Sequence, residues 1–357
     1  MSASLDAQLQ SVSHRTTKGG SPYLEVVFAD ALNQFTLKIW ENKPQFQLVN
    51  DLPEASFVRL SGDWTQNQYG IDGVRWDIRL LRDEEIESFM IGDPKLSAKQ
   101  AHDWETIISL LKKITDPRLA ALANSFLNRY EQRFRRTAAA RKNHHARRGG
   151  LVEHVAQMMR TAVAISKVYP TLNRDLLVVG VLFHDCGKMW ENTYPEAGFH
   201  QPHDLEGEML GHIPKGMEVC TELWNEMMCG EHADAWTGLF PLTEHVRIHL
   251  MHLIASHHGT HEFGSPTLPR TPEAWALHFV DNIDAKYEML SQGYETAREL
   301  APGIYERQFP LPANLIEPLA HFPTTDAPPA EAIRTSEAEM VELEDELESK
   351  PFNGELF

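Results

Sequence analysis

The chain has 357 residues, 42% of them hydrophobic, and a formal charge of −18. That length suits two domains with a sizeable core, and no stretch approaches the ~20 apolar residues that span a bilayer. The acidic average excludes a surface that is a nucleic-acid footprint throughout, since phosphate binding calls for basic faces.

The N-terminal MSASLDAQLQSVSHRTTKGG has no apolar secretory segment, and residues 1–19 read as an N-terminal extension. Residues 20–90 read as a small β unit. PYLEVVFAD, QFTLKIWE, SFVRLSGDW and GVRWDIRLL are short, largely alternating and rich in β-branched and aromatic residues. Asp30–Asn33 is the expected first turn. Such a set fits a Greek-key barrel of the OB-fold kind, with an SH3-like barrel as the competitor. Residues 84–92 read as a link.

Residues 91–148 form a helical linker. One helix opens at Asp93-Pro94 and another at Asp116-Pro117, where proline in the first turn is harmless; the second is expected to run to Lys142. Residues 129–148 hold eight Arg/Lys and one Glu, a net +7, so a polyanion could be drawn locally; a solvated helix face explains the run as well. From 149 to 322 the periodicity is helical, with helices over 151–169, 172–185, 204–229, 242–256 and 271–296. Residues 323–357 form an acidic tail, with ten acidic and two basic residues from Asp326 onward, expected to be mobile with one acidic helix. The three cysteines have no CxxC spacing and read as free thiols in a reducing compartment, so the cytoplasm is the expected location.

Histidines and aspartates cluster within the helical part. His154 lies in GGLVEHVAQM, His184-Asp185 in LFHDCGK, His212 in MLGHI, His257-His258 in LIASHHG and Asp281 in LHFVDNIDAKY. A lone histidine on an apolar helix is ordinarily a core residue bonded to backbone. Five such sites on successive helices point instead to imidazole and carboxylate ligands for Zn, Mn, Fe or Ni.

The blocks KNHHARRGGLVEHV, NRDLLVVGVLFHDCGK, EGEMLGHI, IASHHG and WALHFVDNIDAKYEML, after a β unit, resemble the YhaM family of 3′→5′ exoribonucleases over roughly residues 20–300. A bare His-Asp dipeptide says little; the blocks in this order are specific. The resemblance implies a multidomain chain, a small OB-fold barrel followed by an all-α HD-domain helical bundle. It implies two divalent metal ions, Mn²⁺ foremost with Fe, Co, Mg or Ni as alternatives. His154, His184, Asp185 and Asp281 would hold one, and Asp185, His212 and His257 the other, with Asp185 bridging; His258 is either a ligand or a substrate contact. Lys188 would neutralise a substrate phosphate. His144 and His145 are either phosphate contacts or a structural cap, Asp284 a residue behind the ligands, Cys186 packing, and Glu206 a proton carrier or a surface residue.

The implied partner is single-stranded nucleic acid, RNA before DNA, with no membrane and with self-association. Arg141 and Arg147 of the basic run would guide the strand towards the metals. Tyr23, Trp64 and Tyr69 are the foremost stacking residues, ahead of Phe35, Trp40 and Trp76, the last two, each inside an alternating strand, being the least expected to contact RNA. The rivals are an HD phosphohydrolase for a small nucleotide or cyclic dinucleotide, a di-iron oxygenase, and a non-catalytic binding protein using the barrel alone.

Overall fold

The computed structural model describes residues 2–31, 34–67, 70–230 and 233–320. Tyr69 and the acidic tail from 323 lie outside them.

Five strands, β1 (Ser2–Thr16), β2 (Pro22–Ala29), β3 (Gln34–Trp40), β4 (Phe57–Asn67) and β5 (Gly70–Leu80), pair antiparallel in the order β3-β2-β1-β4-β5. Alternation drives one face inward: Leu24, Val26, Phe28, Leu37, Ile39, Val58, Leu60 and Ile78 are buried. Val49 of a short helix, α1 (Gln45–Asn50), joins that core. The sheet is open, with β3 and β5 as its edges; the hydrogen-bonded closure of a barrel is not present among the described residues.

Residues 2–16 correct the expectation of an N-terminal extension, because β1 is the central strand and pairs with both β2 and β4. Its signal is weak because polar residues hold most positions and only Ala7 and Leu9 supply buried apolar side chains. Between them Gln8, 1% exposed, donates to Ala55 O at 2.9 Å and accepts the N–H groups of Phe199 and His200 at 2.5 and 3.0 Å. A polar side chain thus stays buried because it ties a distant loop to the sheet.

The expected link is a helix, α2 (Asp83–Ile91), anchored by Glu85, whose carboxylate accepts from Arg59, Arg79 and Arg82. Next come α3 (Pro94–Leu111) and α4 (Pro117–Arg135), each with an aspartate at its N-cap and proline in its first turn. The second ends at Arg135, short of Lys142, because the chain beyond finds other backbone partners: Ala138 N–H bonds Asn192 O at 3.0 Å, and Thr137 bridges Thr193.

The helices that follow are α5 (Gly150–Val168), α6 (Arg174–Phe183), α7 (Lys188–Glu191), α8 (Leu205–Leu210), α9 (His212–Met228), α10 (Ala233–Trp236), α11 (Thr243–Ser256) and α12 (Pro272–Thr296). The apolar run Leu176–Phe183 is buried throughout, because α6 is the axis of the bundle and packs on α4, α5, α11 and α12. Gly180 permits the close approach of α11: a Cβ there would sit 2.4 Å from Leu253 Cδ2. No helix among the described residues is long and apolar enough to cross a membrane.

Candidate metal centre

Three helix ends and two helix interiors converge on Asp185. His184 caps α6 and Asp185 follows it; His212 is the first residue of α9; His257 and His258 end α11; His154 lies within α5, and Asp281 and Asp284 one turn apart on α12. Gly187 lets the His-Asp turn touch α9, since a Cβ there would lie 1.9 Å from His212 O.

Asp185 is 2% exposed, and its two oxygens face different groups. Oδ2 lies 3.3 Å from His184 Nε2, 3.6 Å from His154 Nε2 and 2.6 Å from Lys188 Nζ. Oδ1 lies 3.6 Å from the Nε2 atoms of both His212 and His257. Asp281 Oδ1 joins the first group 3.4 Å from His154 Nε2, and His258 Nε2 the second, 3.3 Å from His212 Nε2.

Apart from the Lys188 contact, the imidazole–carboxylate separations of 3.3–3.6 Å are long for hydrogen bonds. Asp185 Oδ1 and the Nε2 atoms of His154, His184 and His257 are sealed from solvent without a hydrogen-bond partner. Leaving such atoms unpaired costs about 1–3 kcal/mol each, a cost that a cation coordinated by them would offset. The donor set of imidazoles and carboxylates suits a divalent transition metal. The far side of each ring is fixed: Nδ1–H of His184, His257 and His258 donates to Val181 O, Ile254 O and Phe263 O at 2.8, 2.8 and 2.6 Å. His212 Nδ1 lies 3.1 Å from Glu191 and His154 Nδ1 2.7 Å from Asp284. Holding the proton on Nδ1 leaves the Nε2 lone pairs facing inward, the arrangement metal-bound histidines use.

Burial by itself would raise the Asp185 pKa, but Lys188 and the His184 and His257 imidazoles outweigh it and hold the carboxyl well below its usual range. Burial also opposes ionisation of Asp281, yet His154 and His184 depress it. His258 is pushed down to about 3 by burial and by His257 and His212. His144 is pushed down to about 4 by burial and Lys188. Both are therefore neutral near pH 7, as a metal ligand must be. For His154 burial is overcome by Asp281 and Asp284, which raise it to about 10; a metal would have to displace that proton.

The sequence-predicted residues divide. His154, His184, Asp185, His212, His257, His258, Asp281 and Lys188 meet in one place. His144 lies beside them, its ring 6.0 Å from that of His154. His145 turns away to Asp284, with Nε2 3.0 Å from Oδ2. The Asn143–His145 segment that presents them has positive φ at Asn143 (79°) and His145 (45°), strained values for non-glycine residues.

Much of the basic run is tied into the fold by hydrogen bonds and ion pairs, although none of its eight cations is fully buried. Arg147 is half-enclosed between Glu153 and Glu288, at 2.7 and 2.9 Å. Arg133, Arg136 and Arg148 bond carbonyls of residues 189–198, because that irregular loop lacks backbone partners of its own. Arg141 donates to Glu191 O and Pro202 O at 2.6 and 2.9 Å.

On the sheet, Tyr23 stacks obliquely on Trp40, their rings 5.0 Å apart, and Trp40 is 37% exposed on the edge strand β3. Trp64 packs on Trp76 and donates to Ala3 O at 3.1 Å, so it serves the core. Glu206 pairs with Lys215 at 3.0 Å. Sequence reasoning passed over Glu191 and Gln8, whose partners lie too far along the chain to leave a spacing signal.

An HD domain family model matches residues 151–286. Across 293 residues the chain is 32% identical to the 3′-5′ exoribonuclease YhaM of Geobacillus sp. (strain WCH70), covering 81% of this chain and 84% of that protein. No solved structure matches. The match over most of both chains, with the HD domain falling on the helices that carry the histidines, means that this chain belongs to the YhaM family of HD-domain hydrolases.

Proposed function

We propose that the chain is a metal-dependent 3′→5′ exoribonuclease that shortens single-stranded RNA to 5′-mononucleotides. The observation that carries this reading is that the two oxygens of buried Asp185 face separate groups of imidazoles, three of whose Nε2 atoms (His154, His184 and His257) have no hydrogen-bond partner. His154, His184, Asp185 and Asp281 would hold one divalent ion, and Asp185, His212, His257 and His258 the second, with Mn²⁺ the favoured metal. Bound there, the pair of ions would supply a hydroxide nucleophile and Lewis-acid stabilisation of the phosphoryl oxygens.

The chain's own groups position the substrate. Lys188, beside Asp185 Oδ2, is placed to take the charge of a phosphate oxygen. His144, its ring 6.0 Å from that of His154 and neutral near pH 7, would hydrogen-bond another. The buried wall formed by α6 excludes water behind the reacting bond.

The strand order, with α1 inserted between the third and fourth strands, supports an OB-type reading of the sheet, for which only pairing of β3 with β5 is wanting. We assign residues 2–80 to that unit and 149–322 to the HD domain.

Purified protein with Mn²⁺, offered a 5′-labelled single-stranded RNA and separately a cyclic dinucleotide, tests the activity. Progressive shortening from the 3′ end supports it. Hydrolysis of the cyclic dinucleotide alone refutes it and selects the small-nucleotide phosphohydrolase.

A further inference from the structure

Beside the sheet lies a cleft of about 570 Å³ that is separate from the metal centre. Its sheet wall carries Gln10 and Ser11 of β1 and Gln34 of β3, and its opposite wall carries Arg141, Lys142 and His200. A second cavity, of about 460 Å³, is lined by Lys188, Glu191, Asn192 and Gly211. Arg141 lines both. A single guanidinium therefore stands where the sheet cleft meets the cavity that reaches Lys188 and, through it, Asp185.

The walls are held rigid. Gln8 fixes the backbone of Phe199 and His200 from the sheet side. Arg148 fixes the same loop from the other side, donating to Pro195 O at 2.6 Å and Glu196 O at 2.8 Å. Gln10 accepts from His200 Nδ1 at 3.0 Å, while its Nε2 is sealed from solvent with no acceptor.

Most of the basic run is tied to carbonyls and carboxylates, but Lys142 is exposed and engages no partner among the described residues. One Arg141 nitrogen, Nη2, makes both of its carbonyl bonds, and no bond of Nη1 or Nε is seen among the described residues. Arg141 and Lys142 face the amides of Gln10 and Gln34 and the Ser11 hydroxyl, with Asp30 the one carboxylate of the lining, and this set matches a phosphate backbone with base edges beside it. The volume lies within the ~300–1,000 Å³ of small-ligand pockets, enough for single-stranded nucleotides.

We infer that this cleft receives the nucleotides of a single RNA strand immediately upstream of the scissile bond. The strand runs along the sheet edge past Lys142, turns at Arg141, and presents its 3′ terminus to Lys188. The identity of the ligand rests on the exoribonuclease reading; the path rests on the two cavities and the residue they share. The stacked aromatics of the sheet then lie outside the segment nearest the reaction.

Fluorescence anisotropy of a 5′-labelled oligoribonucleotide on the full chain, with chelator present so that nothing turns over, tests the path. Lys142→Glu and Ser11→Trp should each weaken binding about tenfold, and Lys142→Glu should lower the slope of log affinity against log salt by about one. Lys167→Glu, the same charge change at the C-terminal end of α5, should leave affinity within about twofold. Unchanged affinity in both cleft variants, an equal loss in Lys167→Glu, or no binding by the unmodified chain overturns the assignment. Failure of the nuclease reading has a different signature: the cleft variants weaken binding as stated, yet the bound strand is not shortened once Mn²⁺ is restored.

Discussion

Asp284 accepts the Nδ1–H of His154 at 2.7 Å, and this bond aims His154 Nε2 at Asp185 and Asp281. The same oxygen lies 3.0 Å from His145 Nε2, so one carboxylate joins the Asn143–His145 segment to the metal centre. Replacing such a partner of a metal-bound histidine costs about 10–100-fold in metal affinity. Asp284→Ala should bind Mn²⁺ that much more weakly by calorimetry while retaining its helical circular dichroism. Affinity equal to the parent would show that Asp284 does not orient His154.

Asp185 and His257 should differ in how many ions they retain. Asp185 faces both groups, whereas His257 faces only Oδ1. Elemental analysis of Asp185→Ala should show loss of both metals and of nuclease activity, and His257→Ala loss of about one of two. Two ions retained by Asp185→Ala would remove the bridging assignment.

Gly187 is predicted to tolerate no side chain. A methyl group there would lie 1.9 Å from His212 O and 2.7 Å from Gly216 N, both backbone atoms of α9. Gly187→Ala should therefore displace His212 and lower metal affinity at least tenfold. A crystal structure or metal titration indistinguishable from the parent would contradict this.

Away from the site, Asp116 governs acid stability. Its carboxylate caps α4 and meets Arg118, 1% exposed, at 2.6 Å. Burial alone would raise its pKa, but the bonds from the Arg118 side chain and from the Leu119 and Arg118 N–H groups lower it. A carboxylate depressed in the folded state contributes stability that is present above its unfolded pKa of about 3.9 and lost as pH falls through the folded value. Asp116→Asn keeps a capping oxygen but leaves the Arg118 charge unmatched, so it should cost about 2–3 kcal/mol at pH 7. That difference should narrow below about pH 4 in urea titrations; a difference that does not change with pH would rule out the charge pairing as its cause.

Much of this protein was legible locally. Asp93-Pro94, Asp116-Pro117 and Thr271-Pro272 announce helix starts because a cap and a proline act within one turn. Each histidine of the centre stood out because it interrupts an apolar helical stretch, where an unpartnered imidazole is costly. The central strand β1 was hidden because a strand paired on both edges by backbone bonds needs few apolar side chains, and it has Ala7 and Leu9. Tertiary structure alone decided where the basic run goes, since charge in a sequence does not say which carbonyl or carboxylate will meet it. It turned Arg147 inward to Glu153 and Glu288, and it left Lys142 in the cleft. It also decided which oxygen of Asp185 faces which imidazoles, because that division depends on four helices meeting at one buried point.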